Sequence, residues 1–75
     1  MKDGYLSNAA VHKLIEVAGA ERIGDDAVEE LRKVLEEIAI NIGKDAIELA
    51  SHAGRRTVKL EDIRLSAKRI KLNLI

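Results

Sequence analysis

The chain has 75 residues, with 13 Lys and Arg balanced by 13 Asp and Glu, two histidines, no cysteine, no proline and one tyrosine as its only aromatic residue. That length allows one small domain spanning residues 1–75, marginal unless stapled or oligomeric. Without cysteine there is no disulfide framework or thiolate metal site, two histidines are too few for a metal cluster, and neither a membrane-length apolar run nor a signal-peptide pattern is present, so a soluble cytoplasmic protein without a cofactor is expected.

A first helix is predicted over residues 7–18. Ser7 or Asn8 caps it by accepting from free N–H groups of the first turn. Ala10, Val11, Leu14, Ile15 and Ala18 form an apolar stripe at helical spacing. Gly19 suits the left-handed residue that closes a helix. A second helix is predicted over residues 25–52. Asp25 and Asp26 favour the positive end of its dipole, and Gly54 stops it. Val28, Leu31, Leu35, Ile38, Ile42 and Leu49 give it an apolar stripe, widened by Ala27, Val34, Ala39, Ile40, Ala46, Ile47 and Ala50. Gly43 costs about 1 kcal/mol relative to alanine in mid-helix, and close approach of another helix is the simplest reason for it. A third helix is predicted over residues 60–71, with Ile63, Leu65, Ala67 and Ile70 apolar. Only the residues near Arg22 and the Thr57-Val58-Lys59 stretch look extended, enough for strands of two or three residues.

Zero net charge argues against a nucleic-acid partner, since such domains are usually basic. The distribution restores part of the case. Residues 53–75 carry seven basic and two acidic residues, a local +5, whereas residues 25–50 carry eight acidic and three basic ones, a local −5. Phosphates respond to the local field rather than to the sum over the molecule. The fold class is all-α, and two short helices cannot cover an apolar rod of roughly 40 Å at about 1.5 Å per residue. The remainder requires another chain, most simply an identical one. No nucleophile, base and orienting group cluster in the sequence and no glycine-rich phosphate loop occurs, which argues against an enzyme and a small-molecule substrate.

The stretches AGAERI, DDA, LEEIA and HAGRRTVKLEDI, in this order and spacing over about residues 9–71, resemble the archaeal histones. The resemblance implies the histone fold: a short-long-short helix trio that forms a head-to-tail handshake dimer. It implies a chromatin or nucleoid protein that binds double-stranded DNA with little sequence preference. In the family an arginine at the position of Arg55 pairs with an aspartate at that of Asp62. Thr57 matches a threonine that sits beside an arginine, matching Arg22, from the partner's first loop, and this pair is the implied minor-groove element. Inserting arginine there reads groove width and potential more than base identity. Arg56 and Lys59 flank that point, and Lys13 retains a basic residue on the first helix. The resemblance also implies an end-to-end contact between dimers at Leu49, His52, Asp62 and Leu65, with His52 meeting an aspartate of the neighbouring dimer.

The sequence departs from the pattern in three places. The proline-containing N-terminal motif is replaced by GYLSNAAVHK, Glu16 occupies a position that is often basic, and Ser51 stands where arginine is common. These changes lower the DNA affinity to be expected. The apolar end, with Ile70, Leu72, Leu74 and Ile75, is expected to pack on its own dimer. The competing expectation is a histone-fold module for protein–protein interaction, with another histone-fold chain as partner and DNA binding weak or lost.

Overall fold

A computed structural model describes residues 4–74, and the side chains of residues 4–70. Three helices follow in order: α1 (Asn8–Ala18), α2 (Asp25–His52) and α3 (Leu60–Leu74). The fold is all-α, as the periodicity implied. Local chemistry sets the helix ends. Ser7, in extended conformation, accepts at its side-chain oxygen from the Ala10 N–H at 3.1 Å, capping α1. Gly19 closes it at φ 112°, with its N–H donating to the Glu16 carbonyl and that of Ala20 to the Ile15 carbonyl. At the end of α2, Gly54 takes φ 74° and donates to the Ser51 carbonyl, while the Arg55 N–H donates to that of Ala50. Both are paired-bond terminations in which a left-handed residue satisfies carbonyls that the helix leaves open.

Two expectations are corrected. No strand occurs among the described residues, so the stretches near Arg22 and Thr57 are loop. Two or three extended residues form a strand only when a neighbour completes the ladder. The third helix runs to Leu74 rather than stopping at residue 71. No glycine or proline follows Lys71 to end it. The side chains of Leu72, Leu74 and Ile75, on which the packing of the apolar end was expected to rest, lie outside the described residues, whereas Ile70 is half-buried.

The chain divides into two compact units, Met1–Glu37 and Ile38–Ile75. In the first, the buried apolar residues are Val11 and Val28. In the second they are Ala46 and Ala50. This is a very small core. Leu31, Leu35, Ile38, Ile42 and Leu49 of the long helix are only half-buried, and Leu14, Val17, Ile40, Ile47, Leu60 and Leu65 are exposed. A chain of this size with so little enclosed apolar surface gains little from burial on its own.

At Gly43, an added Cβ would meet nothing within 4 Å in this chain, so the close neighbour expected there does not come from the described residues of the chain itself. Gly43→Ala therefore has a sign that can be measured. If the position stays open, relief of the mid-helix glycine should stabilise by up to about 1 kcal/mol. If a second copy packs closely there, the added methyl should lower the melting temperature instead. Thermal melting at two protein concentrations separates the two outcomes.

Candidate nucleic-acid interface

The loop between α2 and α3 is assembled around Arg55 and Asp62. The glycine closure at Gly54 turns the chain out of α2 and delivers Arg55 as the next residue. Asp62 lies in the first turn of α3, and its Oδ2 accepts the Lys59 backbone N–H at 2.8 Å. The Lys59 carbonyl in turn accepts the first backbone bonds of α3, from Asp62 and Ile63. This is the side-chain-to-backbone half of a capping box. Arg55 then engages Asp62 with two parallel bonds, Nη1 to Oδ2 at 3.0 Å and Nη2 to Oδ1 at 3.1 Å. Its Nη1 also donates to the Thr57 carbonyl at 2.9 Å. One guanidinium thus ties the helix start to the middle of the loop. Bidentate arginine–carboxylate pairs are the geometrically specific form of this contact.

Asp62 is 4 % exposed, and Arg55 is half-buried. The Arg55 guanidinium, and after it the Lys59 amide, hold the Asp62 carboxyl below its ordinary range, while the aspartate raises the pKa of Arg55. A depressed folded value contributes stability that is present above the unfolded pKa and is lost as pH falls through the folded one. The wild type should therefore lose melting temperature below about pH 4, and Asp62→Asn should lose less over that interval while starting lower at neutral pH. Arg55→Ala should lower the melting temperature clearly more than Arg56→Ala. Equal melting of the two arginine variants would show that Arg55 is not the structural one.

The inward bonds of Arg55 leave Arg56, Thr57 and Lys59 exposed on the loop. Arg22 is exposed on the loop between α1 and α2, in the other unit, and Lys13 is exposed on α1. The side chains of Lys13, Arg22, Arg56 and Lys59 have no ion-pair partner among the described residues, and the Thr57 hydroxyl makes no hydrogen bond there. Three other arginines are engaged internally: Arg55 with Asp62, Arg32 with Glu29 and Glu36, and Arg69 with Asp45. Reading the sequence alone missed two further unpaired cations, Arg64 and Lys68. They are four residues apart on α3 and, with Glu61, Leu65 and Ala67, line an open groove of about 510 Å³. Their i, i+4 spacing was the available signal.

Of the residues expected at a contact between dimers, His52 is exposed at the last position of α2, Leu65 is 47 % exposed on α3 and Leu49 is half-buried. Asp62 is buried, with both carboxylate oxygens already bonded. A histidine reaching it would share an occupied acceptor. No group of three or more metal-ligating side chains occurs among the described residues. No helix there is long and apolar enough to cross a membrane.

Three helices of 11, 28 and 15 residues, with an arginine–aspartate clamp at the second loop, define a short-long-short helical class. Residues 5–66 match the family described as histone-like transcription factor (CBF/NF-Y) and archaeal histone. The chain is 55 % identical over 63 residues to the archaeal histone HAN1 of Thermococcus zilligii, covering 84 % of this chain and 94 % of that protein. It is 38 % identical over 56 residues to probable archaeal histone 3 of Methanocaldococcus jannaschii, covering 75 % and 84 %. It is also 34 % identical over 64 residues to histone H4 of Dictyostelium discoideum, covering 85 % of this chain and 59 % of that one. The chain belongs to the histone-fold family of histone-like transcription factors and archaeal histones.

Proposed function

We propose that the chain acts as a single histone-fold domain that dimerises and binds double-stranded DNA without sequence preference, as an architectural component of the chromosome and not as an enzyme. The observation that carries the DNA reading is the second loop. There the clamp is built entirely from Arg55 and Asp62, so Arg56, Thr57 and Lys59 stay exposed. Dimerisation is supported by the half-buried and exposed apolar residues of α2. In the dimer, Arg22 of one chain serves beside Thr57 of the other, with Arg56, Lys59 and Lys13 neutralising phosphates. The test is titration with duplex DNA at two salt concentrations, with the mass of the protein measured in parallel. Salt-sensitive binding by a dimer or tetramer supports the proposal, and absence of binding at low salt overturns it.

A second reading has its own support. Zero net charge and three arginines engaged internally leave few cations for phosphate. On that reading the fold is an interaction module for another histone-fold chain. The finer proposal for assembly places Leu49, His52, Asp62 and Leu65 between dimers. His52→Ala should then reduce the tetramer while leaving the dimer folded, as read by sedimentation. A wild-type chain that stays dimeric at high concentration removes this contact.

A further inference from the structure

The first unit contains a buried charge cluster that the DNA reading does not use. Arg32 is 4 % exposed on α2. Its Nη2 donates to Glu29 Oε2 at 3.0 Å, and its Nη1 reaches both oxygens of Glu36 at 3.2 Å. Glu36 then accepts two backbone N–H groups from far away in sequence. Tyr5 donates to Oε2 at 2.6 Å and Leu6 donates to the same oxygen at 2.8 Å. The Leu6 amide is the chief reason that Glu36 is held below its ordinary carboxylate range, with Tyr5 and Arg32 adding to it against the cost of desolvation. Gly4 completes the contact. A Cβ built on it would overlap the Glu36 carboxylate and Arg32 Nη1. Its φ is not positive, so space rather than backbone conformation selects glycine there.

The side chains of this segment contribute little grip. The Tyr5 ring is 88 % exposed and Leu6 is 41 % exposed. No proline stiffens the chain ahead of α1. An extended segment with exposed side chains and no proline is ordinarily held only by water. Here two consecutive N–H groups converge on one carboxylate, and charge-assisted bonds of this kind are the strong ones. Arg32 makes the arrangement tolerable, because it neutralises a carboxylate that the segment covers.

We propose that Gly4–Leu6 is a strap fastened to α2 by Glu36, and that Glu36, held in place by Arg32, is the positioning residue that fixes how the chain leads into α1 and where its one aromatic ring stands. Arg32 acts through Glu36, and its own charge is used within the cluster. The proposal is independent of the DNA reading, so either can fail alone.

The experiment uses the full chain with two variants. Glu36→Gln removes the charge but keeps a carbonyl acceptor, whereas Gly4→Ala leaves Glu36 intact and blocks the approach of the strap. Amide hydrogen exchange at Tyr5 and Leu6 reads the fastening directly, and fluorescence anisotropy of the single tyrosine reads its mobility. The wild type should protect both amides. Each variant should speed their exchange by about tenfold or more and lower the tyrosine anisotropy, with exchange within α2 unchanged in Gly4→Ala. Should Glu36→Gln fail to fold, Gly4→Ala decides alone. Unprotected Tyr5 and Leu6 amides in the wild type, or protection that survives Gly4→Ala, would overturn the strap.

Discussion

Leu35→Glu should abolish folding and dimerisation together. Leu35 lies on the long helix among apolar residues that one chain leaves half-buried, and the proposed partner would cover them. A carboxylate placed there would be desolvated without a counter-ion, at a cost on the order of several kcal/mol. A small domain has roughly 5 kcal/mol of net stability, which this would consume. The buried apolar residues of the single chain, Val11, Val28, Ala46 and Ala50, are too small to sustain it alone. Circular dichroism and sedimentation should therefore report one coupled transition that shifts with protein concentration. A folded monomer with normal helicity would show that the half-buried face of α2 needs no partner.

The second large effect is on DNA. Two or three cations per chain, from Arg22, Arg56, Lys59 and Lys13, make four to six phosphate contacts per dimer. With a slope of about −0.9 per phosphate, log affinity against log salt should fall with a slope of roughly −4 to −5. Random duplexes should bind alike, because phosphate contacts position a protein without reading bases. Arg22→Ala should weaken binding to every duplex, most on A·T-rich sites whose narrow minor groove concentrates negative potential. Affinity should be modest, since zero net charge supplies no long-range attraction beyond the local patch. A slope near zero, or an Arg22→Ala protein that binds as the wild type does, would move the assignment to the interaction module.

Helix ends were legible in the sequence wherever a residue type has a single backbone use. Gly19 and Gly54 mark the two left-handed closures, and Ser7 marks the first cap. The end of α3 was not legible, because Lys71 is followed by no residue that stops a helix. The loops near Arg22 and Thr57 were misjudged for a related reason: β-branched residues favour extension, but a ladder is a property of two segments. Within the site, the spacing of Arg55 and Asp62 acquired meaning only through family resemblance, since nothing local says that a residue just past a helix end will reach back to the next helix start. The Glu36 cluster was invisible. Arg32 and Glu36 at i, i+4 read as an ordinary solvated pair, and no pattern announces that backbone N–H groups 30 and 31 residues away will converge on that carboxylate.

The Arg55 fork grips Asp62 and the Thr57 carbonyl, so the outline of the second loop is drawn by groups that face inward. The residues facing outward, Arg56 and Lys59, contribute side-chain charge without holding that outline, because the only bond Lys59 supplies to it is through its backbone. Shape and charge are thus separately adjustable at this surface. Replacing Arg56 or Lys59 with a neutral or acidic residue alters the pull on a polyanion and leaves the scaffold intact. A lineage of such chains can drift from tight to loose DNA packaging, or away from DNA altogether, in single substitutions that never pass through a misfolded intermediate.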